Sequence, residues 1–362
     1  MSSPCSVHVR RPRGLSRTAR RRRFAGLSAL TVVALLAAAC GGNTGESDQR
    51  SSDVPLVYGV FATPLEEPWD GAIHRALKAA DADGNIVYKY TDNNDSSDKM
   101  TRTLRDLIAN EEPDIIFGDA FAAEDAVREV AAETEGTTFV FGSGEKPAGP
   151  NLSTFDNWMQ DPAYLAGMLS GGMTKSDVIG VVAALPIPEV NRIVNAYIDG
   201  VKETNPQATV KVTFINSFFD PTTAKQAALA QVSQGADILF AERAGVIEAA
   251  VEKDLPVIGM MVDQKEEAPQ NVVTSLVWDM RPTINHVVEQ FNADSLGSTD
   301  LAEFSFMKNG GSSLAPINTD VPGGVPVELL QQIDEKKAAV LDGSFVTPVN
   351  EDPPPGSTTV GE

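Results

Sequence analysis

The sequence predicts an α/β protein of two lobes, each a parallel sheet with helices on both faces. Three observations predict it. From Pro55 onward, short β-branched runs alternate with amphipathic stretches. The alternation comes as two comparable runs, over 55–142 and 177–276, joined by the aromatic and Pro-rich passage Pro150–Pro162. The order is strand, helix, strand throughout, which is the pattern of parallel sheets with crossover helices.

In the first run the β-branched segments Leu56–Phe61, Asn85–Tyr90, Asp114–Phe117 and Thr138–Phe141 are predicted strands. Between them, apolar residues recur at helical spacing and predict helices over Trp69–Ala82, Ser97–Asn110 and Glu124–Glu133. A helix at Asp161–Thr174 follows the joining passage. The second run predicts strands Val178–Ala183, Thr209–Phe214, Asp237–Ala241, Pro256–Met260 and Val272–Leu276, with helices Val190–Asn205, Thr222–Gln234 and Gly245–Lys253 between them. Beyond the helix Arg281–Asn292 the pattern loosens into Glu303–Lys308, a Gly/Ser loop and a last helical stretch, Val325–Asp342. The predicted organisation is a first lobe over 55–156 completed by a returning segment, 279–348, and a second lobe over 157–278. Residues 349–362, ending in the Pro- and Gly-rich Asp352–Glu362, are expected to be disordered.

Charge is unevenly placed along the 362 residues. Residues 1–39 hold eight Arg and no acid, so the remainder carries 21 basic against 50 acidic residues, a net of −29 where the whole chain has −21. A body this acidic repels phosphate backbones, and nucleic acid is excluded as a partner. Cys5 and Cys40 are the only cysteines, which leaves the folded body without a disulfide or a thiolate metal site.

The leader explains the basic end. Arg20 to Arg23 precede an apolar run, Phe24–Ala39, which is short for a membrane span of about 20 residues and has the layout of a secretory signal, 1–39. Cys40 directly after Ala37-Ala38-Ala39 resembles the lipobox of bacterial lipoproteins, although Ala37 replaces the usual Leu or Val. That resemblance implies lipidation of Cys40, with residues 40–54 as a polar tether and the body held on the extracytoplasmic face of the cell membrane. The Arg21-Arg22-Arg23-Phe24 stretch also resembles a twin-arginine export signal, so the export route stays open.

In open α/β sheets a ligand sits beyond the carboxyl ends of the strands, and here those loops are well furnished. They hold Thr63 to Asp70 after the first strand, Asp119 and Phe121 after the third, and Asp156-Asn157-Trp158 in the joining passage. In the second run they hold Pro186 to Arg192 (including Asn191), Ser217 to Asp220 (including Phe218), Glu242-Arg243 and Asp263-Gln264, followed by Trp278-Asp279. The three Trp of the chain, Trp69, Trp158 and Trp278, all fall in these passages. Aromatic faces with carboxylates, an amide and an Arg suit a cleft that stacks a flat ring and hydrogen-bonds hydroxyls. A single Trp in such a place is as readily a lobe-packing residue.

Signatures of catalysis are sparse. His74 and His286 lie inside amphipathic helices, where an ordinary helix position explains them, and no loop His is present to build a Ser-His-Asp triad or a His-rich metal site. There is no G-x-x-x-x-G-K-[ST] loop, no G-x-G-x-x-G after the first strand, and Gly142-Ser143-Gly144 lacks the spacing of a nucleophile elbow. Paired carboxylates such as Asp119 and Glu242 could serve a surface hydrolase, but acids are abundant enough for such pairs to arise by chance. The expectation is no enzyme, no cofactor and no metal.

Blocks in order along the body resemble one family. They are Asp161 to Gly167, Ile179 to Val182, Ile187 to Arg192 with Gly200 after them, Asp220-Pro221, Gln234 to Asp237, Gly245 to Ala250, and Asp263-Gln264. The chain is similar here to the basic membrane protein (Med or PnrA-like) family of solute-binding lipoproteins of ABC importers. The resemblance implies a type I periplasmic-binding-protein fold: two Rossmann-like lobes, three crossovers and a ligand trapped between them. It further implies a purine nucleoside or similar flat polar ligand, with Trp69 and Phe218 as the rings of the two lobes, Asp119 against the base and Asn191 at the head of a second-lobe helix. The remaining residues expected at the ligand are Asp70, Phe121, Asn157, Trp158, Glu242, Arg243, Asp263 and Trp278.

This sequence departs from the family pattern at several points. Pro64 to Asp70 replaces an Asp followed by Ser-Phe-Asn, the family's sugar-binding Asp falls on Met261, its Lys falls near Trp278, and Glu242-Arg243 replaces a Gly-rich stretch. The expected mechanism is capture by lobe closure and delivery to ABC permease subunits, with a membrane-tethered sensor of the same fold as the alternative. Trp69→Ala is expected to weaken binding by about 1–3 kcal/mol with little effect on the fold.

Overall fold

The computed structural model describes residues 54–361, apart from residue 122. The signal segment, Cys40 and the tether, up to residue 53, lie outside the described residues.

Leu56–Val60 (β1) is buried at every position, as a strand covered on both faces must be. It lies between Val87–Thr91 (β2) and Ile115–Asp119 (β3); Thr138–Gly142 (β4) and Leu152–Phe155 (β5) complete a sheet of order β2-β1-β3-β4-β5, parallel throughout. Helices Pro68–Ala82 (α1), Ser97–Glu111 (α2) and Glu124–Glu133 (α3) make the crossovers. The start of α1 is specified locally: Pro68 occupies the first turn, where its missing N–H costs nothing, and the Glu67 carboxylate accepts from the backbone N–H groups of Trp69 and Asp70 at 2.8 and 3.0 Å.

Gln160–Met173 (α4) carries the chain into the second lobe. There Val178–Ala183 (β6), Thr209–Phe214 (β7), Ile238–Ala241 (β8), Val257–Met261 (β9) and Val272–Trp278 (β10) repeat the same order, β7-β6-β8-β9-β10, again parallel. Pro188–Thr204 (α5), Pro221–Ser233 (α6) and Val246–Lys253 (α7) cover this sheet. Helices α4 and α5 touch backbone to backbone. A Cβ on Gly167 would land on the Tyr197 carbonyl, and one on Gly200 on the Tyr164 carbonyl, so only glycine permits the approach.

The structure departs from the sequence-based expectation in three places. The passage Pro150–Pro162 is not merely a joint, because β5 within it is an edge strand of the first sheet. The returning segment does not belong to the first lobe alone. Its helix Arg281–Asn292 (α8) packs against α1, and a 3₁₀ turn at Ala302–Ser305 packs against β5. Ser312–Leu314 (β11) then joins the second sheet antiparallel to β10, and Val327–Asp342 (α9) packs on α4. The C-terminal tail is ordered. Thr358–Thr359 (β12) adds to the edge of the second sheet beside β7, and residues 350–352 lie along α5. Composition suggested disorder because Pro, Gly and Thr give the tail no core of its own; side chains of α5 supply its partners instead.

Candidate ligand-binding site

The loops at the carboxyl ends of both sheets face one another across a cleft, and the cleft has two chambers. The inner one encloses about 210 Å³ and is walled by Thr63, Glu67 and Trp69 from the first lobe's opening loop, Asp119 and Phe121 after β3, and Phe218 and Arg243 from the second lobe. The outer one, about 380 Å³, is bounded by Asp156, Trp158, Arg192, Asp300 and Glu351 among others. Phe121, Ser143, Ile187 and Glu189 line both, so the chambers are continuous. Ser143 holds a left-handed backbone (φ 59°), a conformation that costs a non-glycine residue free energy and is commonly kept at ligand sites.

Two cross-lobe contacts close the inner chamber. Phe121 and Phe218 meet edge to face, ring centroids 4.8 Å apart. Deeper in, Arg243 Nη1 lies 3.3 Å from Glu67 Oε1, with both side chains 3% exposed. Arg243 is held on its own lobe by Glu242, through Nη2 to Oε1 at 2.6 Å and Nε to Oε2 at 2.9 Å, and donates to the Phe218 carbonyl at 3.1 Å. Burial works against the Arg243 charge, but Glu242 and then Glu67 outweigh it and raise its pKa above the ordinary guanidinium value. Burial raises the pKa of both Glu67 and Glu242, and Arg243 opposes the rise.

Two further carboxyls on the chamber walls are raised as well. Asp119 is pushed up to about 7, chiefly by burial, against the hydrogen bond it accepts from the Phe121 N–H at 2.9 Å. Glu189 is pushed up to about 8 by burial and then by Asp156. Three buried polar atoms on the walls have no hydrogen-bond partner: Trp69 Nε1 in the inner chamber, Glu189 Oε1 at the junction and Arg192 Nε in the outer one. Buried polar groups are normally satisfied, so these three atoms have hydrogen-bonding capacity left over. Among the described residues, no three or more His, Cys, Asp or Glu are grouped so as to hold a metal ion.

Of the residues read from the sequence, Trp69, Asp119, Phe121, Phe218 and Arg243 stand in the inner wall and Trp158 in the outer one. The others lie behind the walls or away from them. Asp70 is fully buried beneath Thr63, accepting from its N–H and Oγ1 at 2.9 and 2.6 Å. Trp278 packs behind Trp69, centroids 5.0 Å apart, and donates to Ser305. It is a packing Trp, and Met261 is likewise buried. Asn157 is buried beside Arg192, Asn191 donates to the Glu351 carbonyl, Glu242 holds Arg243 from behind, and Asp263 only accepts from the Lys265 N–H on an exposed loop. Neither His lies in a wall: His74 meets the Tyr88 hydroxyl and His286 stacks on Phe304. Sequence reasoning missed Glu67 and Glu189. Both stand at helix starts beside a Pro in strand-following loops, which is the signal that could have found them.

Comparison with known proteins places this geometry. Residues 61–304 match the family described as Bmp, ABC transporter substrate-binding protein PnrA-like. A Haloferax volcanii protein provisionally named an ABC transporter glucose-binding protein is 30% identical over 230 residues, 63% of this chain and 58% of that one. A purine-binding protein of Brucella abortus is 26% identical over 234 residues, 64% of each chain. The matched region thus spans about three fifths of these two relatives. An ABC transporter solute-binding protein from Conexibacter woesei shares the architecture with a TM-score of 0.67 at 22% identity, over 82% of this chain and 99% of that one. The fold is the type I periplasmic-binding-protein architecture, and the chain belongs to the Bmp, PnrA-like family of ABC transporter substrate-binding proteins.

Proposed function

We propose that this protein is the extracytoplasmic substrate-binding component of an ABC importer, tethered to the membrane through a lipid on Cys40, and that it captures a nucleoside-like or other heteroaromatic small molecule by lobe closure. The observation that carries the reading is the inner chamber itself: a cavity between lobes, walled by Trp69 and closed at the mouth by Phe121 against Phe218. Its volume suits a ring compound, and its aromatic surfaces suit stacking. Relatives named for purine and for glucose both describe hydroxylated or ring-shaped solutes.

The action is binding without turnover. Open lobes admit the solute, hinge motion at the crossovers brings Phe218 and Arg243 onto Phe121 and Glu67, and the closed rims dock on permease subunits. Water expelled on closure leaves stacking and buried hydrogen bonds to give micromolar or tighter affinity. Calorimetry and thermal-shift measurements against nucleosides, nucleobases, flavins and thiamine test the reading, together with native mass spectrometry of a co-purified solute. A panel in which none of these binds would sink it.

A further inference from the structure

The two chambers together show eight carboxylates and two arginines on their walls. Both arginines are already neutralised by protein: Arg243 by Glu242 and Glu67, and Arg192 by Asp156 at 2.6 Å and Glu351 at 3.3 Å. Asp119, Glu145, Glu189 and Asp300 face the space with no cationic group within ion-pair distance among the described residues. A buried carboxyl without a paired cation is costly to ionise, and Glu189 is 9% exposed with Oε1 unpartnered at the junction of the chambers, so a cation seated there would let it ionise. The cleft closes on an incomplete set of charges.

We propose that the natural ligand is a cation, a positively charged heteroaromatic compound whose charge is set against Glu189, with its ring in the inner chamber and a hydroxyl-bearing arm in the outer one. This rests on the binding role above and deepens it by naming the ligand's charge. The unpartnered atoms agree in sign and place. Trp69 Nε1 donates to a ring acceptor in the inner chamber, Glu189 Oε1 accepts from the cationic centre, and Arg192 Nε donates to an oxygen of the arm. An anion would find no free cation on the walls, because both arginines are already paired with protein carboxylates.

The test is calorimetry at pH 7 with five probes: adenosine, N1-methyladenosine, adenosine 5′-monophosphate, thiamine and choline. At least one of the two charged ring compounds, N1-methyladenosine or thiamine, is expected to bind about tenfold or more tighter than adenosine, and the monophosphate not at all. Glu189→Gln, which keeps the shape and cannot ionise beside a bound cation, is expected to erase that preference, and with it the proton that Glu189 releases on binding, while its urea-unfolding transition stays cooperative. Adenosine binding as tightly as both charged rings overturns the proposal and leaves the heteroaromatic importer reading standing. Choline binding where no ring compound does preserves the charge selection and overturns that reading instead. Failure of both charged rings and choline overturns the proposal.

Discussion

Arg243 and Glu67 join the two lobes across the cleft, Nη1 to Oε1 at 3.3 Å, each side chain only 3% exposed. Because Glu67 also caps α1 and Glu242 grips Arg243 from its own lobe, this one ion pair ties the head of a first-lobe helix to a second-lobe strand end. Removing the cation leaves two buried carboxylates unpaired. Arg243→Met is expected to destabilise the closed protein by about 3–5 kcal/mol, read as a lower urea midpoint. Replacing Arg243 and Glu67 together by Met and Gln should recover part of the loss.

The expectation that Trp69→Ala leaves the fold intact does not survive the structure. Trp69 is 7% exposed and stacks on Phe155 at 5.8 Å and Trp278 at 5.0 Å, so truncation opens a cavity and should cost about 3–5 kcal/mol of stability as well as affinity. Phe121→Ala is the cleaner probe. Phe121 is 45% exposed, so its loss should change unfolding by less than about 1 kcal/mol. It removes the edge-to-face closure with Phe218, and ligand dissociation in stopped-flow should speed up about threefold to tenfold.

Stability of the ligand-free protein should depend on pH in a defined direction. Asp119 and Glu189 titrate near 7 and 8 when folded, whereas unfolded carboxyls titrate near about 4, so between these values the folded state holds the extra protons. Stability then falls as pH rises from about 4 to about 8 and levels off above. Melting temperature measured across that window should decline, and Asp119→Asn with Glu189→Gln should flatten the decline. A melting temperature that rises with pH through this window in the wild-type protein would contradict the buried-carboxyl account.

Gly200→Ala is expected to destabilise by more than about 2 kcal/mol, because the new methyl meets the Tyr164 carbonyl and α4 must move away from α5. Chemical denaturation with Gly84→Ala as the comparison separates the two effects. Gly84 has open space around it and a φ of 76°, so its substitution reports backbone strain alone.

The strand and helix order was legible because each buried strand is a β-branched run and each crossover helix has a regular apolar stripe. What was not legible depends on contacts distant in sequence. β5, β11 and β12 are four, three and two residues long, too short for periodicity, and exist because a neighbouring strand offers its edge. For the site, loop position found Trp69, Asp119, Phe121, Phe218 and Arg243. Depth was invisible: Trp278 and Asp70 sit one layer behind the wall, and Asn191 and Asn157 turn toward the tail and Arg192. The same loop position could not reveal that Glu67 and Arg243 would meet across the lobes.

The tail has a consequence of its own. Arg192 binds Asp156 in the crossover and Glu351 in the tail, Asn195 donates to the carbonyls of Asn350 and Asp352, and the Val360 N–H donates to the Phe214 carbonyl. Deleting residues 350–362 is therefore expected to cost on the order of 3 kcal/mol in urea unfolding.

β12 also pairs with the last two residues of β7, Thr213 and Phe214, on a strand that alternates Thr and Lys with apolar residues along an otherwise open row of backbone donors and acceptors. A parallel sheet with a bare edge is a template for another chain's strand. Thr358 and Thr359 thus guard the end of that edge, and their removal would leave it free to pair with a strand of another copy.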